Sequence, residues 1–139
     1  MHTISSEHLS LDDLRAILAK NEQLELSEAS RTAVLNCYSY LHNKIGEQGA
    51  VHYGINTGFG SLCDIQIEGK DLADLQANLV RSHASGTGDL VPLDVIKIIL
   101  LLKIQNMSLG YSGVSIEVVD RLVAMYNEGV YLLFISKVH

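Results

Sequence analysis

The chain has 139 residues, enough for one domain with a moderate core, and its 47% apolar and 19% charged residues exclude a disordered polypeptide. A net charge of -6 weighs against nucleic acid, which selects basic faces, and two cysteines, Cys37 and Cys63, are too few for a disulfide framework and point to a reducing cytoplasm. The N-terminus "MHTISSEHLSLDD" lacks signal-peptide character, and the longest apolar run, Val95 to Ile104, holds Lys97 and Lys103 and is too short to cross a bilayer, so no membrane role is expected.

Ser10 and Asp13 form a capping box ahead of Leu11, Leu14, Ile17 and Leu18, which predicts a helix over about 11–20. Ser27 opens a second helix with a stripe of Ala33, Val34, Cys37, Leu41 and Ile45, closed at Gly46 or Gly49. A glycine-rich segment, "VHYGINTGFGS" at 51–61, comes next. A third helix is predicted over about 71–83, with Leu72, Leu75, Leu79 and Val80 inward, and Gly86 and Gly88 break it. Pro92 stands at a first helical turn, and a fourth helix runs to about Leu109. Its "VIKIILLLKIQNM" is apolar on almost every face, which predicts a helix buried all round and set inside something larger than this chain. Ser115 caps a fifth helix, with Ile116, Val119, Leu122 and Val123 inward and Gly129 at its end. The expected class is mainly α, as a single incomplete domain over 1–139 with a divergent tail at 130–139.

The 51–61 segment admits three uses. A P-loop needs a lysine after its last glycine, and none follows Gly58 or Gly60. The G-x-G-x-x-G spacing of a dinucleotide turn also fails. A surface turn explains the glycines, and a mobile catalytic loop explains both them and Tyr53, since a tyrosine with a lowered pKa can act as a base. Composition alone leaves the last two open. The six histidines, His2, His8, His42, His52, His83 and His139, show no metal-ligand spacing, so no metal site is expected.

Three blocks carry a resemblance. "YGINTGFG" (Tyr53–Gly60), "NLVRSHASGTGD" (Asn78–Asp89) and "LLLKIQNMSLGYSGV" (Leu100–Val114) follow in order over about 60 residues. They resemble the signature blocks of the aromatic amino acid ammonia-lyases, the histidine, phenylalanine and tyrosine enzymes, and the likeness runs from Leu9 to about Gly129. The third block departs at Lys103, Gln105 and Leu109, where the family usually has arginine, asparagine and lysine. The resemblance implies the N-terminal helical portion of the ammonia-lyase (aspartase-like) fold, with 51–61 as its active-site loop. It implies elimination of ammonia from an amino acid, in a cytoplasmic homotetramer, by a methylidene-imidazolone (MIO) electrophile formed from an Ala-Ser-Gly tripeptide.

Residue by residue, Tyr53 matches the family's proton-transfer tyrosine, and His83 the position facing the substrate side chain. Gly60 matches a glycine that lets the backbone approach the substrate. Ser82 and His83 resemble the pair of the histidine lyases, where tyrosine lyases have His-Leu and phenylalanine lyases Phe-Leu. The chain's own Ala84-Ser85-Gly86 falls in the substrate block, so it is expected to stay uncyclised, the true precursor lying downstream. On this basis the chain resembles the first quarter of a histidine lyase and is expected to be inactive alone. The alternatives are a non-catalytic interaction module and a fragment of a phenylalanine or tyrosine lyase.

Overall fold

Helix α1 (Leu11–Lys20) begins where its sequence says it should. Ser10 Oγ accepts from the Asp13 backbone N–H at 3.1 Å, and the Asp13 carboxylate accepts from the Ser10 N–H at 3.0 Å. The two side chains thus satisfy donors that the first turn leaves unpaired. The helix stops at Asn21, in the left-handed region (φ 49°), with Asn21 N–H on Leu18 O and Glu22 N–H on Ile17 O. Asparagine tolerates that conformation better than most residues, which makes it a stop signal second only to glycine.

The computed structural model describes residues 1–45, 72–83, 86–132 and 135–137. After α1 come α2 (Glu28–Ile45), α3 (Leu72–His83), α4 (Leu93–Ser108) and α5 (Ile116–Glu128), so the class is mainly helical as expected. Four short strands accompany them: β1 (His2–Ile4), β2 (Leu24–Leu26), β3 (Thr87–Leu90) and β4 (Ile135–Lys137). None was predicted, because three or four residues are too few to show an alternation of period two. β1 and β2 pair in parallel, with His2 opposite Leu24 and Ile4 opposite Leu26. A parallel pair needs a crossover, and α1 supplies it. β3 pairs with β4.

The chain divides into two compact units, Met1–Leu41 with Leu90–Phe134, and His42–Asp89 with Ile135–His139. The core of the first unit is Ile4, Ile17, Leu24, Leu101, Ile104 and Tyr126, flanked by half-buried Leu9, Leu14, Leu26, Leu100, Leu122 and Val123. α4 contributes the most buried positions, Ile96, Leu101, Ile104 and Ser108. It is not buried all round, however: Val95, Ile99 and Leu102 are 42–47% exposed on the opposite face. Two inward assignments also fail. Leu11 is exposed because it sits at the first helical position outside the core face, and Val80 is exposed on α3. The stripes of α2 and α5 hold, with Val34 and Val119 fully buried.

α5 ends in the same motif as α1, this time with glycine. Gly129 (φ 69°) donates to Tyr126 O and Val130 to Met125 O. α2 and α5 are joined by a forked ion pair, Arg31 Nη2 to Asp120 Oδ1 at 2.7 Å and Nη1 to Oδ2 at 3.0 Å. That bond holds the Arg31 pKa above its ordinary value. The pair is partly exposed, so it contributes about 0–1 kcal/mol. Gly110 (φ 72°) lets the "GYSGV" turn press on α2: a Cβ there would lie 2.7 Å from the Ala33 carbonyl carbon.

Candidate functional site

Tyr53, Gly60 and the whole 51–61 segment lie outside the described residues, as do Cys63, Ala84 and Ser85. Ser82 and His83 are the last two residues of α3, in its C-terminal turn. Ser82 is exposed there, and the His83 side chain lies outside the described residues. Immediately before them, Arg81 Nη1 donates to Asn78 Oδ1, three residues back, at 3.3 Å. Gly88, at φ 104°, takes up a conformation that side-chain-bearing residues rarely adopt, and the chain continues as β3. Of the four predicted site residues, the structure therefore places Ser82 and His83 side by side on one element. Cys37 is half-buried and free.

The described concavities lie in the other unit and contain none of those four residues. An open polar cleft of about 380 Å³ is formed by Asn21–Gln23, Tyr126–Gly129, Leu93, Lys97 and Tyr131. In it the Lys97 ammonium sits 3.5 Å from Asn21 Oδ1 and 5.8 Å from the centre of the Tyr131 ring. Burial first, then Tyr131, raises the Tyr126 pKa above 10, so this phenol stays protonated at neutral pH. A smaller polar hollow of about 170 Å³ lies between β1 and Gln105, beside His2, His8 and Asp13. Between α4 and α5 runs an apolar groove of about 140 Å³. Among the described residues no cluster of three or more His, Cys, Asp and Glu is placed to hold a metal ion.

Sequence reasoning missed two polar anchors. Asn127, on the last turn of α5, clamps β2: its Oδ1 accepts from Leu24 N–H at 2.7 Å and its Nδ2 donates to Leu24 O at 2.8 Å. An asparagine late in a helix gives no periodic signal. Gln105, one of the departures in the third block, donates through Nε2 to Ser5 O at 2.8 Å and Glu7 O at 3.2 Å, tying α4 to the segment after β1. That contact accounts for the residue at this position, and the altered position was itself the available signal.

A family profile for aromatic amino acid lyases matches residues 9–135. The chain belongs to that family. It is 44% identical over 129 residues to the histidine ammonia-lyase of Legionella pneumophila (strain Lens), covering 93% of this chain and 25% of that protein. Against the histidine ammonia-lyase of Streptococcus gordonii it is 37% identical over 127 residues, 91% of this chain and again 25% of the relative. Solved structures agree on the fold of this lyase segment. Tyrosine aminomutase from Streptomyces globisporus superposes with a TM-score of 0.82 at 27% identity, over 91% of this chain and 24% of that one. Histidine ammonia-lyase from Trypanosoma cruzi gives 0.76 at 25% identity, over 90% and 24%. Ergothionase from Treponema denticola gives 0.88 at 24%, over 97% and 27%. The chain thus spans about a quarter of the length of the relatives it matches. Among the described residues no helix is long and apolar enough to cross a membrane.

Proposed function

We propose that this chain supplies the substrate-recognition quarter of a histidine ammonia-lyase, an enzyme that eliminates ammonia from L-histidine to give urocanate. The observation that carries the reading is the 44% identity to a histidine ammonia-lyase, across a stretch that includes Ser82-His83. In this reading Tyr53 takes the β-proton, Gly60 lets the backbone approach the substrate, and Ser82 and His83 face its side chain. An imidazole carries one donor and one acceptor, and the polar pair satisfies them where Phe-Leu would bury them unpaired. The working enzyme is a cytoplasmic homotetramer with no metal and no nucleic-acid partner.

The chain's one Ala-Ser-Gly, at 84–86, does not fit the electrophile of this chemistry. Gly86 is exposed and leads into β3, whose four residues are all exposed. By its order in the sequence the tripeptide falls in the block that resembles the family's substrate block, upstream of where the family's electrophile precursor lies. The MIO group therefore belongs to a segment of lyase polypeptide outside this chain, and alone the chain turns over no histidine. General-base catalysis by itself gives about 10²- to 10⁴-fold, too little for this elimination.

The test transplants residues 9–135 into a full-length histidine ammonia-lyase and follows kcat/KM for histidine, tyrosine and phenylalanine. Histidine should be preferred. Tyr53→Phe should lower kcat by about 10²- to 10⁴-fold with a far smaller change in KM. The double change Ser82→Phe with His83→Leu should shift preference toward phenylalanine by up to about a hundredfold, the equivalent of about 1–3 kcal/mol for an unpaired buried group. A chimera that prefers tyrosine or phenylalanine unmutated would refute the assignment.

A further inference from the structure

The open polar cleft of about 380 Å³ has two charged walls. Lys97, on α4, supplies the positive one. Its ammonium is placed by Asn21 Oδ1 at 3.5 Å and by the Tyr131 ring, 5.8 Å to the centre, and among the described residues it forms no ion pair. Glu128, the last residue of α5, supplies the negative wall. A carboxylate there stands at the negative end of the helix dipole, where it costs the helix stability and a cation would restore it. Yet α5 has no basic residue in its last turn, and Glu128 forms no ion pair among the described residues. The cleft's other carboxylate, Glu22, is already met by the Met1 ammonium at 3.4 Å and by Lys20 at 3.7 Å. A cation and an anion thus line one cleft without neutralising each other.

We propose that this cleft binds a free α-amino acid as its zwitterion, with the ligand carboxylate on Lys97 and the ligand ammonium on Glu128. An ammonium only donates and a carboxylate only accepts, so each end of the ligand fits one wall and its orientation is fixed. The C-terminal turns of α1 and α5 both reach the cleft, at Asn21 and Gly129, and their negative dipole ends reinforce the ammonium wall. The exposed Leu93 and the Tyr131 ring offer apolar surface to the ligand side chain. The volume lies within the range of about 300–1,000 Å³ usual for small-molecule sites. A metal ion or a phosphate would satisfy one wall and leave the other bare. Every residue of the cleft belongs to the first compact unit, whereas Ser82 and His83 belong to the second. The proposal is therefore independent of the substrate reading.

The experiment titrates the isotope-labelled 139-residue chain with L-leucine and follows its backbone amides by NMR. Leucine is not aromatic, which keeps the response apart from a lyase substrate site. Saturable shifts are expected at Asn21–Gln23 and Tyr126–Gly129, with a Kd at or below about 10 mM. N-acetyl-leucine lacks the ammonium and leucinamide lacks the carboxylate, and each should bind at least about tenfold more weakly. Lys97→Met should erase the difference between leucine and leucinamide, and Glu128→Gln that between leucine and N-acetyl-leucine. A variant that merely disturbed the fold would not select one end of the ligand. If either variant does not fold, the ranking of the three ligands on the unaltered chain decides. No saturable shifts in the cleft, equal affinity for the three ligands, or a ranking that both variants leave unchanged would each overturn the proposal.

Discussion

Replacing Asn127 tests the least expected piece of the fold. Its amide faces Leu24 as a neighbouring strand would, accepting from the N–H at 2.7 Å and donating to the carbonyl at 2.8 Å. β1 occupies the other edge of β2, so Asn127→Ala strips both bonds from one residue of a two-stranded sheet. Each hydrogen bond is worth about 0.5–1.5 kcal/mol net. Leaving both backbone groups dry would cost more, but Asn127 also lines the open polar cleft, from which water can reach them. The lower bookkeeping therefore applies, and the loss should be about 1–3 kcal/mol. Urea unfolding followed by helical circular dichroism should show a midpoint lower by roughly 1 M, since m is about 1–3 kcal/mol/M for small domains. Asn127→Asp separates donor from acceptor. It keeps an oxygen for the Leu24 N–H but turns another toward the Leu24 carbonyl, so the folded state favours the protonated acid. An acid whose folded pKa is raised carries its full penalty above that pKa and sheds it as pH falls through it. Relative to wild type, this variant should therefore recover as the pH drops from 7 toward 4. An Asn127→Ala loss below about 0.3 kcal/mol, or a flat pH response of the aspartate variant, would show that the clamp holds nothing.

Other positions give sharper contrasts by the same assay. Gly110→Ala should cost about 2–5 kcal/mol, combining a left-handed conformation with a Cβ driven into the Ala33 backbone, while Gly129→Ala, whose nearest neighbour would be 3.9 Å away, should cost only about 1–2; equal losses would rule out the packing part. Ser30 is fully buried and its hydroxyl has no hydrogen-bond partner among the described residues, so Ser30→Ala should be neutral or stabilise by up to about 1–2 kcal/mol; a loss of that size would show that the hydroxyl is satisfied. Hydrogen bonds from the Ser10 hydroxyl and then its N–H hold the Asp13 carboxyl below its ordinary 3.8. A depressed carboxylate stabilises the fold above its unfolded pKa and ceases to as pH falls through the lowered value, so the gap between wild type and Ser10→Ala should narrow below about pH 4; a gap constant from pH 7 to 3 would contradict it.

The helices were legible because their ends are written in local chemistry. Ser10 with Asp13, Pro92 and Gly129 mark boundaries through bonds within a few residues, and the structure puts the ends there or one residue away. The strands were not legible, because β1 and β2 exist through partners distant in sequence: each other, and Asn127 a hundred residues on. For the candidate site, the family blocks carried Ser82 and His83 to the end of α3, and Tyr53 and Gly60 rest on the resemblance, outside the described residues.

α4 joins these strands of reasoning. A helix with one core-facing stripe announces one neighbour, and its hydrophobic pattern has a clear period. In α4 the period is nearly lost, because apolar residues lie both toward Ile4 and Tyr126 and away from them. Burial all round was the natural expectation. The structure separates the two faces: one is filled by β1 and α5, and the other carries its own regular spacing of Val95, Ile99, Leu102 and Asn106. A helix with two ordered faces encodes two neighbours, and among the described residues β1 and α5 cover one of those faces. Burying the second face would remove from water three large aliphatic side chains that are now 42–47% exposed. At about 1.5–3 kcal/mol for complete burial of each, roughly half of that remains to be gained, on the order of 2–5 kcal/mol in all. That is a large share of the 5–15 kcal/mol by which whole domains are stable, so whatever covers this face decides how stable the quarter-length segment is.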